Sequence, residues 1–349
     1  MSPAAVSSDR DTSDGFVVPY VLVLIGVLAV VSLFAMERLS RNTEVVRQLD
    51  ARLRAETALA SIQAEAVYTL MAASPLRDGF DLPGRIDPAD AFLFGAAPEA
   101  LPGANSPDTW VPDGQWRLVR DGAVAAQDAQ GLLPLNTASE ASVAALLIEL
   151  GYPAREARLA AAKLADYVDA DARRRSGGAE APQYRMSDRP APPDAPPNAP
   201  TNAPLRSFAE LRNVMGWDAV LDVIDPAVLA SFTTLDATQS GVSAKYAPDR
   251  LRRVLRMTES APVAVTNDEF AFNNLPGAPP GLRTRLLMVV PDPDQPRLAV
   301  VELERRRGGF DAPFRTRPIA SRALRPGELA RYREAWETSD RLSYAAPGN

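Results

Sequence analysis

The hydrophobic pattern changes character four times along the chain. From Phe16 to Met36 there are 21 consecutive residues without a charge, most of them apolar. That is about the roughly 20 residues a membrane-spanning helix needs. Behind it the apolar positions thin out to Val45, Leu49, Leu53, Leu59, Ile62, Ala66 and Leu70. Their steps are mostly threes and fours, the helical period. No proline falls between Tyr20 and Ser74, Gly26 is the only glycine there, and Pro75 marks the end. The pattern predicts one helix over 16–74, apolar all round in its first part (16–36) and amphipathic in its second (37–74). From Pro75 to Leu133 the chain is rich in Gly, Pro and Asp and carries short strand-like pieces. Trp116–Val119 and Gly122–Ala126 flank an Asp121-Gly122 turn signal and predict a hairpin.

A helical period returns after residue 134. Ser139–Leu150 is expected to be a helix with Ser139 or Thr137 as its N-cap, stopped by Gly151. Pro153 opens a second helix to about Val168, at the first-turn position proline favours. Eight prolines between Pro182 and Pro204 predict an extended loop over 182–204. Phe208–Met215, Ala219–Ile224 and Asp249–Arg256 are expected as short helices. Strand-like alternation then resumes: Arg283–Val290 and Arg297–Leu303 flank a six-residue loop. The expected class is α+β: a long N-terminal helix on a small antiparallel sheet (75–133 and 257–349), interrupted by an inserted helical domain (134–256). The last stretch is expected to be a C-terminal tail.

Composition narrows the chemistry. The chain has 349 residues, a net charge of -6, no cysteine and no histidine. That excludes disulfides, thiolate catalysis, zinc-thiolate sites and imidazole bases or ligands. The acidic balance gives no nucleic-acid footprint. The arrangement Leu146–Ala157 around Gly151 does resemble a helix-hairpin-helix, and a membrane-anchored DNA-binding protein is the alternative reading. Glu140, Glu149 and Glu156 surround that hairpin, whereas phosphate binding needs a basic surface.

The densest polar motif is Asp166-Tyr-Val-Asp169-Ala-Asp171, followed by Gly177-Gly178-Ala179-Glu180 and Tyr184. Oxygen ligands clustered where a helix gives way to a loop suit calcium, which takes six to eight oxygens in flexible geometry. No EF-hand glutamate follows. The competing reading is an acidic, solvated helix end with Arg173–Arg175 as partners. A carboxylate-based hydrolase would have only Asp166, Asp169 and Glu180 to work with, and no enzyme activity is expected.

The leader is also informative. A secretory signal would have a basic leading region and a small-residue cleavage site. Here Asp9, Asp11 and Asp14 precede the apolar run, and Glu37 and Arg38 follow it. A short leader ending in Gly15, then Phe16, an apolar half-helix and an amphipathic half-helix resemble a type IV pilin or pseudopilin. The acidic motif, with Leu135–Ser139, Leu150-Gly151-Tyr152, Tyr184-Arg185, Asn202–Leu205 and Phe208–Gly216, is similar to the minor pseudopilin K family of type II secretion systems.

This resemblance, over roughly Gly15 to Arg256, implies several things. The fold would be pilin-like with a helical insertion. A prepilin peptidase would remove the leader 1–15 between Gly15 and Phe16, and Phe16 would be N-methylated. Tyr20 stands where most pilins carry glutamate, a departure this family shares. Calcium would be bound by Asp166, Asp169, Asp171 and Glu180. The protein would sit in the bacterial inner membrane with its carboxy-terminal domain in the periplasm, at the tip of the pseudopilus. Its partners would be the I- and J-type minor pseudopilins and the major pseudopilin, with no nucleic acid. Arg38, Arg41, Arg47, Arg52 and Arg54 follow the apolar run, and the positive-inside rule alone would predict the opposite orientation. The pilin signal ranks above it, because Glu37, Glu44, Asp50 and Glu56 interleave with these arginines.

Overall fold

The structure is a computed structural model that describes residues 17–75, 79–81, 109–186, 200–256, 283–305 and 314–337. The expected processing residues Gly15 and Phe16 lie outside them. The chain divides into two compact units, residues 1–54 and 55–349.

Helix α1 (Val17–Ala72) begins in the first unit and ends in the second. In the first unit, Tyr20, Leu22, Leu24, Ile25, Leu28, Leu33 and Phe34 are all at least half exposed. Among the described residues α1 is the helix long and apolar enough to cross a membrane, and none of its apolar window is buried. Such a surface is stable only against lipid or another apolar surface. Beyond Met36 the charges pair along the helix, as in Arg41–Glu37 and Arg54–Asp50, at the four-residue spacing that places side chains together. Val45, Leu49 and Leu53 remain exposed.

In the second unit the expected stripe is buried. Ile62, Ala66 and Leu70 are four residues apart, so they share one face of α1, and each is at most 2% exposed. They pack on Val124, Ala126, Leu286, Met288, Val301 and Leu303. After α1 come three two-residue strands, β1 (Ser74–Pro75), β2 (Phe80–Asp81) and β3 (Thr109–Trp110), which form a small antiparallel sheet. The main sheet opens with β4 (Asp113–Val119) and β5 (Gly122–Asp128). Their register pairs Val119 with Gly122, so Arg120 and Asp121 make the turn and Gly122 is already strand. Gly122 is needed for another reason. A Cβ there would sit 2.1 Å from the Val289 carbonyl oxygen and 2.9 Å from Ile62 Cδ1.

The inserted region follows. Strand β6 (Leu133–Pro134) leads to helices α2 (Glu140–Glu149), α3 (Ala154–Val168), α4 (Ala181–Met186), α5 (Trp217–Val223) and α6 (Pro226–Ala230). Strand β7 (Thr233–Thr234) pairs in parallel with β6 at the root of the insertion, and helix α7 (Asp249–Val254) comes after it. Ser139 caps α2, accepting from the Ser142 N–H, as expected. Three helices differ from expectation, and α6 is one, since none was expected over 226–230. Phe208–Asn213 is a 3-10 helix. Residues 181–186, the start of the expected proline-rich loop, are helical instead. Pro182 sits in the first turn of α4, where its missing N–H breaks no helical bond. The insertion has its own core, centred on Leu147, Leu164, Tyr167, Trp217 and Leu251.

The sheet is completed by β8 (Arg283–Val290), β9 (Arg297–Arg305) and β10 (Phe314–Ala323), in the order β10-β9-β8-β5-β4, antiparallel throughout. The last strand, and helix α8 (Pro326–Glu337) after it, replace part of the expected tail. Together with α6, α8 covers the sheet face opposite α1. Leu329 and Tyr332 lie over a cluster of Ala123, Ala125, Leu287, Val289, Leu298 and Val300, with Trp116 edge-on to Tyr332. The fold is therefore α+β, with a helix–sheet core and a helical insertion.

Polar side chains tie the insertion together and join it to the sheet. Asn136 donates to the Leu205 and Leu235 carbonyls and accepts from the Leu205 N–H at 2.7 Å, stitching three segments together. Arg285, 1% exposed on β8, donates to the carbonyls of Ala230 and Thr233 in the insertion. It also pairs with Glu302 on β9 at 2.9 Å.

Candidate metal centre

The acidic motif is assembled by the end of α3 and the loop behind it. Helix α3 has a strong apolar face that packs against α2, and it carries Asp166 into the interior, where its side chain is fully buried. Tyr167 is buried beside it. The helix stops at Asp169, whose extended backbone turns the chain outward. Asp171 then accepts from the Arg173 N–H at 2.7 Å, which tightens the loop. Gly177, at φ +81, supplies a left-handed turn, and the chain returns across Asp166 at Gly178. A Cβ on Gly178 would lie 2.0 Å from Asp166 Oδ2, so glycine is required there by close approach. Ala179 and Glu180 re-enter the interior and start α4. The Glu180 N–H is satisfied by Gln183 Oε1 at 3.0 Å.

The four expected ligands divide. Asp169, Asp171 and Glu180 each offer a carboxylate oxygen, and these lie within 4.8 Å of one another. Asp166 is held separately. Both its oxygens accept from the Arg175 N–H at 3.2 Å, and Oδ1 also accepts from Arg175 Nη1 at 3.0 Å. The Arg175 guanidinium further contacts Asp169 Oδ2 and, through Nε, Glu140 at 3.1 Å. The competing reading of the sequence was therefore right about the arginine. Solvent reaches only part of the cluster: Asp171 is exposed and Asp169 half-buried, whereas Asp166 and Glu180 are buried.

The donor set suits a hard cation. Glu180 is 3% exposed, and its Oε1 has no hydrogen-bond partner among the described residues. The same holds for Asp169 Oδ1 and for Asn202 Oδ1. Asn202 belongs to the neighbouring loop, and its Nδ2 donates to the Asp171 carbonyl at 2.8 Å. Orphaned buried oxygens are costly, and a bound cation satisfies them. Burial first, then the carboxylates of Asp166, Asp169 and Asp171, push the Glu180 carboxyl above its usual range, and Arg175 opposes them. Hydrogen bonding to Asp169 raises Arg175 above its ordinary value, against burial. Tyr184, behind the cluster, is pushed up to about 12 chiefly by burial, and its hydroxyl accepts from the Met215 N–H.

Two contributors were not legible as site residues. Asn202 sits in a proline-rich context at φ +46, and nothing local marks its amide as facing the acidic loop. Arg175 was visible only as one of three adjacent arginines. The hairpin between α2 and α3 turns through Gly151 at φ +97, and Glu149 beside it pairs with Arg250 at 2.9 Å.

No curated protein matches the chain. A chain in the crystal structure of the GspK-GspI-GspJ complex from the enterotoxigenic Escherichia coli type 2 secretion system is 14% identical, with a TM-score of 0.42, covering 80% of this chain and 99% of that one. Residues 118–231, which run from β4 through the acidic loop to the end of α6, match the family described as type II secretion system (T2SS), protein K. Over this stretch, which holds the candidate metal centre together with Glu140, Arg175 and Asn202, the chain is similar to the type II secretion system protein K family.

Proposed function

We propose that this protein is a minor pseudopilin that sits at the tip of a type II secretion pseudopilus and starts or caps its assembly. The observation that carries the reading is the protein K domain inserted into a helix-on-sheet core whose first helix opens with an apolar, lipid-compatible segment. The insertion also bears on position. A helical domain of over a hundred residues on a pilin-like core would obstruct a subunit stacked above it, so the subunit fits an end position. Tyr20, in place of a carboxylate, puts no charge into lipid and lowers the cost of residence in the inner membrane before assembly.

On this reading the leader is removed between Gly15 and Phe16, and the exposed Leu39, Val45, Val46 and Leu49 are the surface for neighbouring pseudopilins of the I and J types. The carboxy-terminal domain is periplasmic. Calcium is held by Asp169, Asp171 and Glu180, with Asn202 as a further oxygen. Asp166 organises the loop and is not itself a ligand. The ion would neutralise three clustered carboxylates and fix the turn between α3 and α4. The role is structural, with no reaction assigned to the carboxylates.

The test is a photo-crosslinking residue placed at Leu49 in cells that assemble the secretion system. Adducts with pilin-type subunits, identified by mass spectrometry, support the assignment. A crosslinked partner set without any pilin-type protein overturns it.

A further inference from the structure

We propose that Arg175 is a built-in counter-cation of the acidic loop, holding Asp166 and Asp169 while no metal is bound and releasing Asp169 when a divalent cation enters. The inference rests on the metal-binding reading of Asp169, Asp171 and Glu180. Arg175 has two separate attachments. Its backbone N–H is bonded to both oxygens of Asp166, which fixes the loop. Its guanidinium reaches Asp166, Asp169 and Glu140, and this second attachment can rearrange without disturbing the first. The Arg175 side chain is 37% exposed, and Glu140, 42% exposed on the first turn of α2, is already within reach as a resting partner. Movement from Asp169 towards Glu140 therefore needs no backbone change.

The charges give the direction. Three ligand carboxylates within 4.8 Å repel one another, and one guanidinium offsets only part of that. A divalent cation offsets more and reaches the orphaned oxygens of Glu180 and Asn202, which Arg175 does not satisfy. Yet a guanidinium bonded to one of the ligands also repels the incoming ion and competes for its donor. Arg175 thus keeps the ion-free loop folded and weakens metal affinity.

The test is calcium titration of the full chain in detergent, by calorimetry and by melting temperature. Arg175→Gln should bind calcium about tenfold more tightly than the unmodified protein, because a partly screened like charge next to the ion is removed. It should also melt lower without calcium and show a larger calcium-induced rise. Arg175→Lys, which keeps a cation but not the fork that spans two carboxylates, should fall between the two. This variant decides the matter should the glutamine variant fail to fold. Arg174→Gln, an exposed neighbour, should leave the affinity within about twofold, since a solvent-exposed charge is screened. Calcium binding by the unmodified protein with equal or weaker affinity in the Arg175 variants overturns the role of Arg175 and leaves the metal site standing. No calcium binding by any of them overturns both.

Discussion

Gly178→Ala isolates the packing that builds the acidic loop. The new Cβ would stand 2.0 Å from Asp166 Oδ2 and 2.7 Å from its Cγ, well inside contact distance. Gly178 has an ordinary backbone φ, so the methyl group itself costs nothing conformationally, and the clash is the whole effect. Asp166 cannot simply rotate away. It is fully buried, and it accepts three hydrogen bonds from Arg175. Either the carboxylate loses those charge-assisted bonds or the loop backbone shifts. Breaking a buried charged pair costs roughly 3–5 kcal/mol, and forced repacking roughly 1–3 kcal/mol. Taking the cheaper route, the loss is roughly 1–3 kcal/mol, or about 2–6 °C in melting temperature for a cooperative unit of this size. Fluorescence of Trp217, buried in the insertion core with its Nε1 donating to the Ala160 carbonyl, reports the transition. In an Asp166→Ala background the clash is gone, and Gly178→Ala should cost only a few tenths of a kcal/mol. Equal costs in the two backgrounds would refute the reasoning.

Two further outcomes follow from the same geometry. At calcium concentrations about a hundred times the dissociation constant, preferential binding to the folded state contributes about 2.7 kcal/mol. The melting temperature of the full chain should therefore rise by about 5 °C, and Glu180→Gln should remove the rise; an unchanged calcium response in that variant excludes Glu180 as a ligand. Glu328, at the start of α8, accepts from Arg322 and from the Arg325 N–H, and the Arg322 hydrogen bond, against burial, holds its carboxyl below the usual range. Its contribution is thus present above the unfolded glutamate value and disappears as pH falls through the lower folded one. Glu328→Gln should cost at most about 1 kcal/mol at pH 7, since the pair is partly exposed, and nothing near pH 2; a pH-independent cost counts against the ion pair.

Much of this architecture is written in local periodicity, and what is not has a physical reason. The stripe Ile62, Ala66, Leu70 is legible because one face of α1 is buried there, and the strands Arg283–Val290 and Arg297–Arg305 because strands covered on both faces read as short apolar runs. Val45, Leu49 and Leu53 continue the stripe in sequence, yet they are exposed, since periodicity reveals an apolar face but not its cover. Strand β10 escapes notice because it is an edge. Arg315, Arg317 and Arg322 and a bulge after Pro318 protect it from further pairing and erase the alternation that marks a strand. Gly122 looks like a turn glycine and is instead a point where helix and strand come close. In the acidic loop the residue types pointed to a cation, but the division of labour between Asp166 and the other three carboxylates depends on which oxygen Arg175 reaches, and spacing carries no such information.

The central claim, that the chain is processed and assembled as a pseudopilin, is tested most directly by the intact mass of the protein recovered from the membranes of cells with an active prepilin peptidase. The account predicts loss of residues 1–15 and the addition of one methyl group on Phe16. A mass that retains Met1 or Ser2 as the amino terminus would contradict it.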